Sequence, residues 1–214
     1  MGNNLCSLLV FLLLLASAFL QAGNQPIVIP IQNPSFEQFT APLTHIDPCG
    51  LEERTLVNFP AWKFVAAPGS GGAGGLLKPN GESTNTKPNG CNVPLPPDGQ
   101  MVAFAQSTTI SQDLGSSPSV DGVYTLTFYV ANYFYWYGSA YSASIVISKT
   151  HGSYGDTVHL CSTSGYAMGD FTKVTMTCPN QRFYGDLTIS LSAPAGPPNW
   201  PVLFDDVTLE FTPQ

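Results

Sequence analysis

The stretch "VYTLTFYVA", residues 123–131, decides the fold class. Tyr124, Leu126, Phe128 and Val130 fall on one side of an extended chain, and Thr125, Thr127 and Tyr129 on the other. Side chains of a strand point alternately to the two faces of a sheet, so this period of two predicts a strand with one face in a core. One apolar face and one polar face is the antiparallel pattern. The same reading extends outward. In "YSASIVIS" (141–148), Tyr141, Ala143, Ile145 and Ile147 are inward; in "DLTISLSA" (186–193), Leu187, Ile189 and Leu191; in "DDVTLEF" (205–211), Val207, Leu209 and Phe211. Met101 to Gln106, Thr109 to Leu114, Asp156 to Cys161 and Phe171 to Cys178 are further strand candidates. No stretch keeps apolar residues at helical spacing for three turns. Many short strands joined by Gly- and Pro-containing connections predict an all-β, two-sheet antiparallel β-sandwich, with a jelly roll as the expected topology.

The chain has 214 residues. Leu8 to Leu15 is an uncharged apolar run followed by Ala16, Ser17, Ala18 and Ala22. This is the form of a secretory signal peptide over residues 1–22, cleaved after Ala18 or Ala22, and it is too short for a membrane span, which needs roughly 20 apolar residues. Residues 23–214 are then expected to be one secreted, extracellular domain with no transmembrane segment. A formal net charge of −7, with 7 Lys and Arg that form no cluster, excludes nucleic acid as a partner.

Once Cys6 leaves with the signal, Cys49, Cys91, Cys161 and Cys178 remain, an even number in an oxidising compartment. Three pairings are possible; local pairing, 49 with 91 and 161 with 178, is favoured, the second closing an apparent hairpin. Zinc is disfavoured, since there is no Cys-x-x-Cys and the histidines are scattered. From about 42 to 99 the alternation breaks down, "GSGGAGG" and two copies of Lys-Pro-Asn-Gly marking turns, so this part is read as a long loop-rich insertion. The Gly-rich segment lacks the Gly-Lys-Ser/Thr ending of a phosphate-binding loop.

"NPSFEQF" (33–39), "FPAWKFV" (59–65), "PPDGQMVAFAQ" (96–106), "ISQDL" (110–114), the opening stretch, and "FDDVTLEF" (204–211) occur in one order. This series resembles the galactose-binding-like jelly rolls, particularly carbohydrate-binding modules of the family 4/9 type. The resemblance implies a structural calcium ion held by Glu37 and an aspartate of the final strand. Asp205 is preferred over Asp206, because it is read as sharing the inward parity of Val207. Glu37 and Asp205 as the acid and base of a hydrolase find no support, since no hydrolase signature accompanies them.

"ANYFYWYGSAY" (131–141) sets five aromatics side by side. Continuing the parity of the opening stretch puts Phe134 and Trp136 inward and Tyr133, Tyr135 and Tyr137 outward, where tyrosine rings suit stacking on a sugar; the alternative is that loops of the 44–99 insertion fold over the tyrosines and bury them. With Trp200 these form the expected ligand-binding set. The reading from sequence is therefore a secreted, non-enzymatic, lectin-like module that binds an extracellular glycan or glycoprotein, with no catalytic residue. The alternative is an extracellular structural or protein-interaction module.

Overall fold

The computed structural model of the chain describes residues 25–39, 45–46, 52–55, 60–79, 93–133, 138–151, 154–180, 183–195 and 200–214. Every regular element among them is a strand: β1 (Ile27–Ile29), β2 (His45–Ile46), β3 (Glu52–Thr55), β4 (Lys63–Ala66), β5 (Ala73–Lys78), β6 (Val102–Gln106), β7 (Thr108–Ser116), β8 (Gly122–Asn132), β9 (Ser139–His151), β10 (Tyr154–Ala167), β11 (Thr172–Asn180), β12 (Asp186–Ala193) and β13 (Val202–Pro213). An 8-stranded sheet runs β11-β8-β13-β6-β5-β3-β2, with β1 also on β13; a 5-stranded sheet runs β10-β9-β12-β7-β4. The described pairs are antiparallel, and the sheets pack as the expected jelly-roll sandwich. Among the described residues no helix is long and apolar enough to cross a membrane.

The alternation read from sequence is the alternation of the core. Tyr124, Leu126, Phe128 and Val130 of β8 meet Ile145 and Ile147 of β9 and Leu187, Ile189 and Leu191 of β12 in one buried cluster. Each such side chain contributes about 1.5–3 kcal/mol by leaving water.

Two features depart from expectation. The stretch from about 42 to 99 contributes β2, β3, β4 and β5, and β5 lies inside the large sheet beside β6. Its glycines hide the pattern, because a glycine has no side chain to alternate. At Gly74 none would fit: a Cβ there would press on the Thr108 and Phe64 side chains. The second departure concerns Cys161 and Cys178, which are bonded with Cα atoms 5.8 Å apart. They do not close a hairpin. β10 pairs with β9 and β11 with β8, so the bond staples the edge strands of the two different sheets. A register shift between His159 and Cys161 lets consecutive residues Leu160 and Cys161 both pack against the core. Cys49, Cys91 and the expected signal segment, residues 1–22, lie outside the described residues.

Candidate active site

Three of the ordered motifs meet at one corner. In "NPSFE", Asn33 and Phe36 adopt left-handed backbone angles (φ 51° and 59°), with Phe36 N–H donating to Asn33 O at 3.1 Å. The Asn33 side chain holds Gln38 through both its N–H and its C=O. Trp62 Nε1 donates to the same Asn33 O at 3.0 Å, and its ring packs on Phe36 with centroids 5.1 Å apart. Trp62 is thus a core residue with a satisfied N–H. Val207 N–H donates to Pro34 O at 3.1 Å, tying the last strand to this corner.

That last bond goes with a bulge. Asp205 faces Tyr129 and Thr208 faces Thr127, so β13 carries one residue more than β8 over this step, and Asp206 takes φ 45°. The extra residue changes the parity. Phe204 and Val207 both enter the core between the sheets, and Asp205 stands on the opposite, outer face of the large sheet with Leu203. The inward parity expected for Asp205 is therefore corrected. The bulge falls where β13 changes neighbours, between its pairing with β6 at 202–204 and with β1 at 209–211. Residues 33–37 and 98–101 converge on that gap.

Asp205 is 0% exposed. Its Oδ2 accepts the Asp98 N–H at 3.2 Å, and its Oδ1 has no partner. Loss of water pushes this carboxyl up to about 7; bonds from the Asp98 and Asp206 N–H groups work against the rise, and the Asp206 and Asp98 charges add to it. Near neutral pH a large fraction of the molecules therefore carry a neutral carboxylic acid here. Glu37, at the surface, reaches the same turn: its Oε1 accepts Gln100 N–H at 2.7 Å and Met101 N–H at 2.6 Å. Ser35 Oγ donates to Asp98 Oδ2 at 2.7 Å.

The groups that touch the Asp205 carboxyl are the polar ones of Asp98 and Asp206, and an apolar patch begins two residues away on the same face, at Leu203. Leu77, Val93, Val102, Phe104, Ala131, Tyr133 and Leu203 form a second buried cluster, on the outer face of the large sheet. Cross-strand register orders it: Leu203 lies opposite Phe104 on one side and Ala131 on the other, Leu77 opposite Val102, and Asp205 opposite Tyr129. A buried acid short of one hydrogen bond is equipped to give a proton to a group that reaches it.

Of the expected site residues, Glu37 and Asp205 do converge, through backbone N–H groups of one turn. Among the described residues no three His, Cys, Asp or Glu side chains are grouped to hold a metal ion. Tyr133 has the expected outward parity but is 7% exposed, packed in the apolar cluster rather than presented to solvent. Trp200 is half-buried. Tyr135 and Tyr137 lie outside the described residues. Sequence reasoning missed Asp98, Phe104 and Leu203. The available signal was that "MVAFA" (101–105) and "VLF" (202–204) are unbroken apolar runs, the mark of strands buried on both faces.

No curated protein matches the chain. Among solved structures, a Stig cyclase from Fischerella sp. TAU, in complex with (3Z)-3-(1-methyl-2-pyrrolidinylidene)-3H-indole, is 19% identical with a TM-score of 0.61, covering 88% of this chain and 99% of that one. A cyclase from the same source, in complex with 4-(1H-indol-3-yl)butan-2-one, is 20% identical with a TM-score of 0.60, covering 87% and 98%. A structure of a CBM4 module is 17% identical with a TM-score of 0.50, covering 86% and 100%. At these identities the likeness shows a shared fold. The resemblance to carbohydrate-binding modules thus holds as a resemblance of fold. A family model described as HpiC1 cyclase matches residues 27–210. That match overturns two expectations, the non-enzymatic lectin-like function and the absence of enzymatic activity. Both rested on a scaffold that binding modules and enzymes share and on an aromatic parity that, at Tyr133, did not bring exposure. The chain belongs to the HpiC1-like family.

Proposed function

We propose that this protein is a cyclase acting on an apolar, aromatic substrate of the indole class, with Asp205 as its acid. The observation that carries the reading is the Asp205 carboxyl: no solvent exposure, an unpartnered Oδ1, and a place beside the apolar outer face of the large sheet. Family membership supplies the reaction class, and the indole compounds in the Fischerella complexes supply the substrate class. The chemistry balances without a redox partner. The Asp205 O–H bond breaks and its proton adds to an electron-rich π bond, leaving a cation on the substrate. A nucleophilic carbon or nitrogen of the same molecule closes the ring, and a proton lost from the substrate returns to the carboxylate. The burial of Asp205 excludes water, which would otherwise trap the cation. The test measures binding of 4-(1H-indol-3-yl)butan-2-one by calorimetry, and turnover of indoles with an unsaturated side chain by wild type and Asp205→Asn. Ring-closed product from wild type and none from the variant is expected. Product formed equally by both, or no binding of any indole, sinks the reading.

A structural calcium ion is a second reading, supported by the unpartnered Asp205 Oδ1. The fit is partial, because Glu37 Oε1 is engaged by two N–H groups. No step above involves a metal. Loss of fold on chelation, restored by calcium, is the outcome that supports the ion. Export, with cleavage after Ala18 or Ala22, is a further proposal that N-terminal sequencing of the mature protein decides.

A further inference from the structure

We propose that the free edge of β10, residues 161–167, pairs with the same edge of a second copy of this chain across a twofold axis at Ser164. β10 ends the five-stranded sheet, with β9 on one side and, among the described residues, no strand on the other. Past the register shift between His159 and Cys161, residues 161–167 run in unbroken pairing with β9, and the bond from Cys161 to Cys178 fastens the segment at its start. Its outward N–H and C=O groups are therefore evenly spaced and held in place, a template for one more strand. The other described edges lack this. β1, β2 and β4 have 3, 2 and 4 residues, β4 carries the exposed Lys63, and β11 carries Lys173 and Pro179. Charge, proline and shortness keep sheet edges from pairing. From Thr157 to Gly169 there is no Lys, Arg, Asp, Glu or Pro. Tyr166 and Met168, 73% and 69% exposed, stand at the end of the same strand and close to each other, since a Cβ on Gly138 would lie 3.8 Å from one and 3.5 Å from the other. Adjoining exposed apolar side chains mark an interaction site.

A second copy is the occupant because such an edge complements itself. Turned by half a revolution, an antiparallel strand edge presents N–H to C=O and C=O to N–H. Copies of net charge −7 repel, so they meet where the contact itself holds no charge. Pairing the whole segment with its copy sets Ser164 opposite itself and Tyr166 opposite Ser162, all of them exposed in a single copy. The segment spans about 24 Å, and with Tyr166 and Met168 the contact falls in the class below about 1,200 Å², which makes the dimer reversible. The inference is independent of the reading of Asp205.

The experiment is sedimentation velocity on the purified protein at concentrations rising through the micromolar range, with circular dichroism to confirm the fold of each variant. Wild type is expected to pass from monomer to dimer. Ser164→Lys and Ser164→Glu each set a charge against its own copy and are expected to stay monomeric where wild type is dimeric. An equimolar mixture of the two is expected to recover the dimer, because opposite charges then face each other, and added salt should partly recover each variant alone. Tyr166→Ser keeps the strand edge and is expected to weaken the dimer by about tenfold. Ser162→Lys, whose charge lies against Tyr166, tests the loss of dimer if the variants at 164 do not fold. A wild type that stays monomeric throughout, a dimer that charge at 164 leaves intact, or a block that mixing does not relieve overturns the proposal. Growth into open oligomers also overturns it, since a twofold contact closes on itself.

Discussion

On the outer face of the five-stranded sheet, Ser111, Ser190 and Ser144 follow one another across β7, β12 and β9, and Thr109, Ser192 and Ser142 repeat the row two residues along. On the outer face of the eight-stranded sheet, the places across β6, β13 and β8 are held by Phe104, Leu203 and Ala131. Both faces alternate with the same core, so alternation alone does not distinguish them; the chemistry of the outward residue does. The hydroxyl face satisfies itself and solvent, as in the 3.0 Å bond between Thr109 and Ser192. The apolar face is buried, and it is where a carboxyl has been taken out of water.

Two aspartates make the contrast sharper. Asp113 stands in solvent on the hydroxyl face, where hydrogen bonds from Lys63 first and Thr188 after it hold its carboxyl below the usual carboxylate range. Asp205 on the apolar face is driven the opposite way by burial. An exposed acid with a cation beside it stays ionised, while a buried acid with only N–H partners keeps its proton and can deliver it.

The contrast is broken most completely by Asp205→Asn, which is expected to lower turnover by about 100-fold to 10,000-fold, the usual range for removing a general acid. Steady-state kinetics on folded variant protein check this. Phe104→Ala is expected to cost about 3–5 kcal/mol and to abolish binding of the indole ketone, whereas Ser190→Ala on the hydroxyl face should stay within about 0.5 kcal/mol. Denaturant titrations compare the two. Removing the inter-sheet staple with a Cys161→Ser, Cys178→Ser double variant should cost about 2–4 kcal/mol without moving the site, read as a lower Tm with unchanged indole binding.

The pH dependence has opposite signs on the two faces. The folded carboxyl of Asp205, at about 7, lies above the ordinary carboxylate value. Its contribution to stability is therefore full below about pH 4 and is lost as pH rises through about 7. Asp205→Asn should remove that loss, so its Tm relative to wild type is expected to rise between acid and mildly alkaline buffer. The contribution of Asp113, whose carboxyl lies low, is present above the ordinary carboxylate range and lost on acidification. Lys63→Ala, which leaves Asp113 only its Thr188 partner, is a small effect, about 1 kcal/mol or less for a pair so exposed.

Much of this molecule was legible from residue pattern. Inward sets on β8, β9 and β12 followed from period-two spacing because a strand's faces are defined locally, residue by residue. Gln112, in the "ISQDL" stretch, bridges Gln32 N–H and C=O at 2.8 Å each, taking the place of a backbone partner. The site was legible only in part. Glu37 and Asp205 were recognisable, through the resemblance, as carboxylates that converge; of the three tyrosines in the aromatic row, Tyr133 falls among the described residues. Tyr133 kept its predicted parity and lost its predicted exposure, because burial depends on what packs above a face, which no strand records about itself.

By itself the sequence determined which residues alternate, that two antiparallel sheets share one core, and that the N-terminal and C-terminal motifs belong together. Only the tertiary structure decided the face on which Asp205 stands. A single extra residue at Asp206, fitted where Val207 reaches Pro34 O across the gap between β6 and β1, reverses the parity of everything before it. That residue is invisible to a period of two, because the bond that accompanies the bulge joins chain segments far apart in sequence.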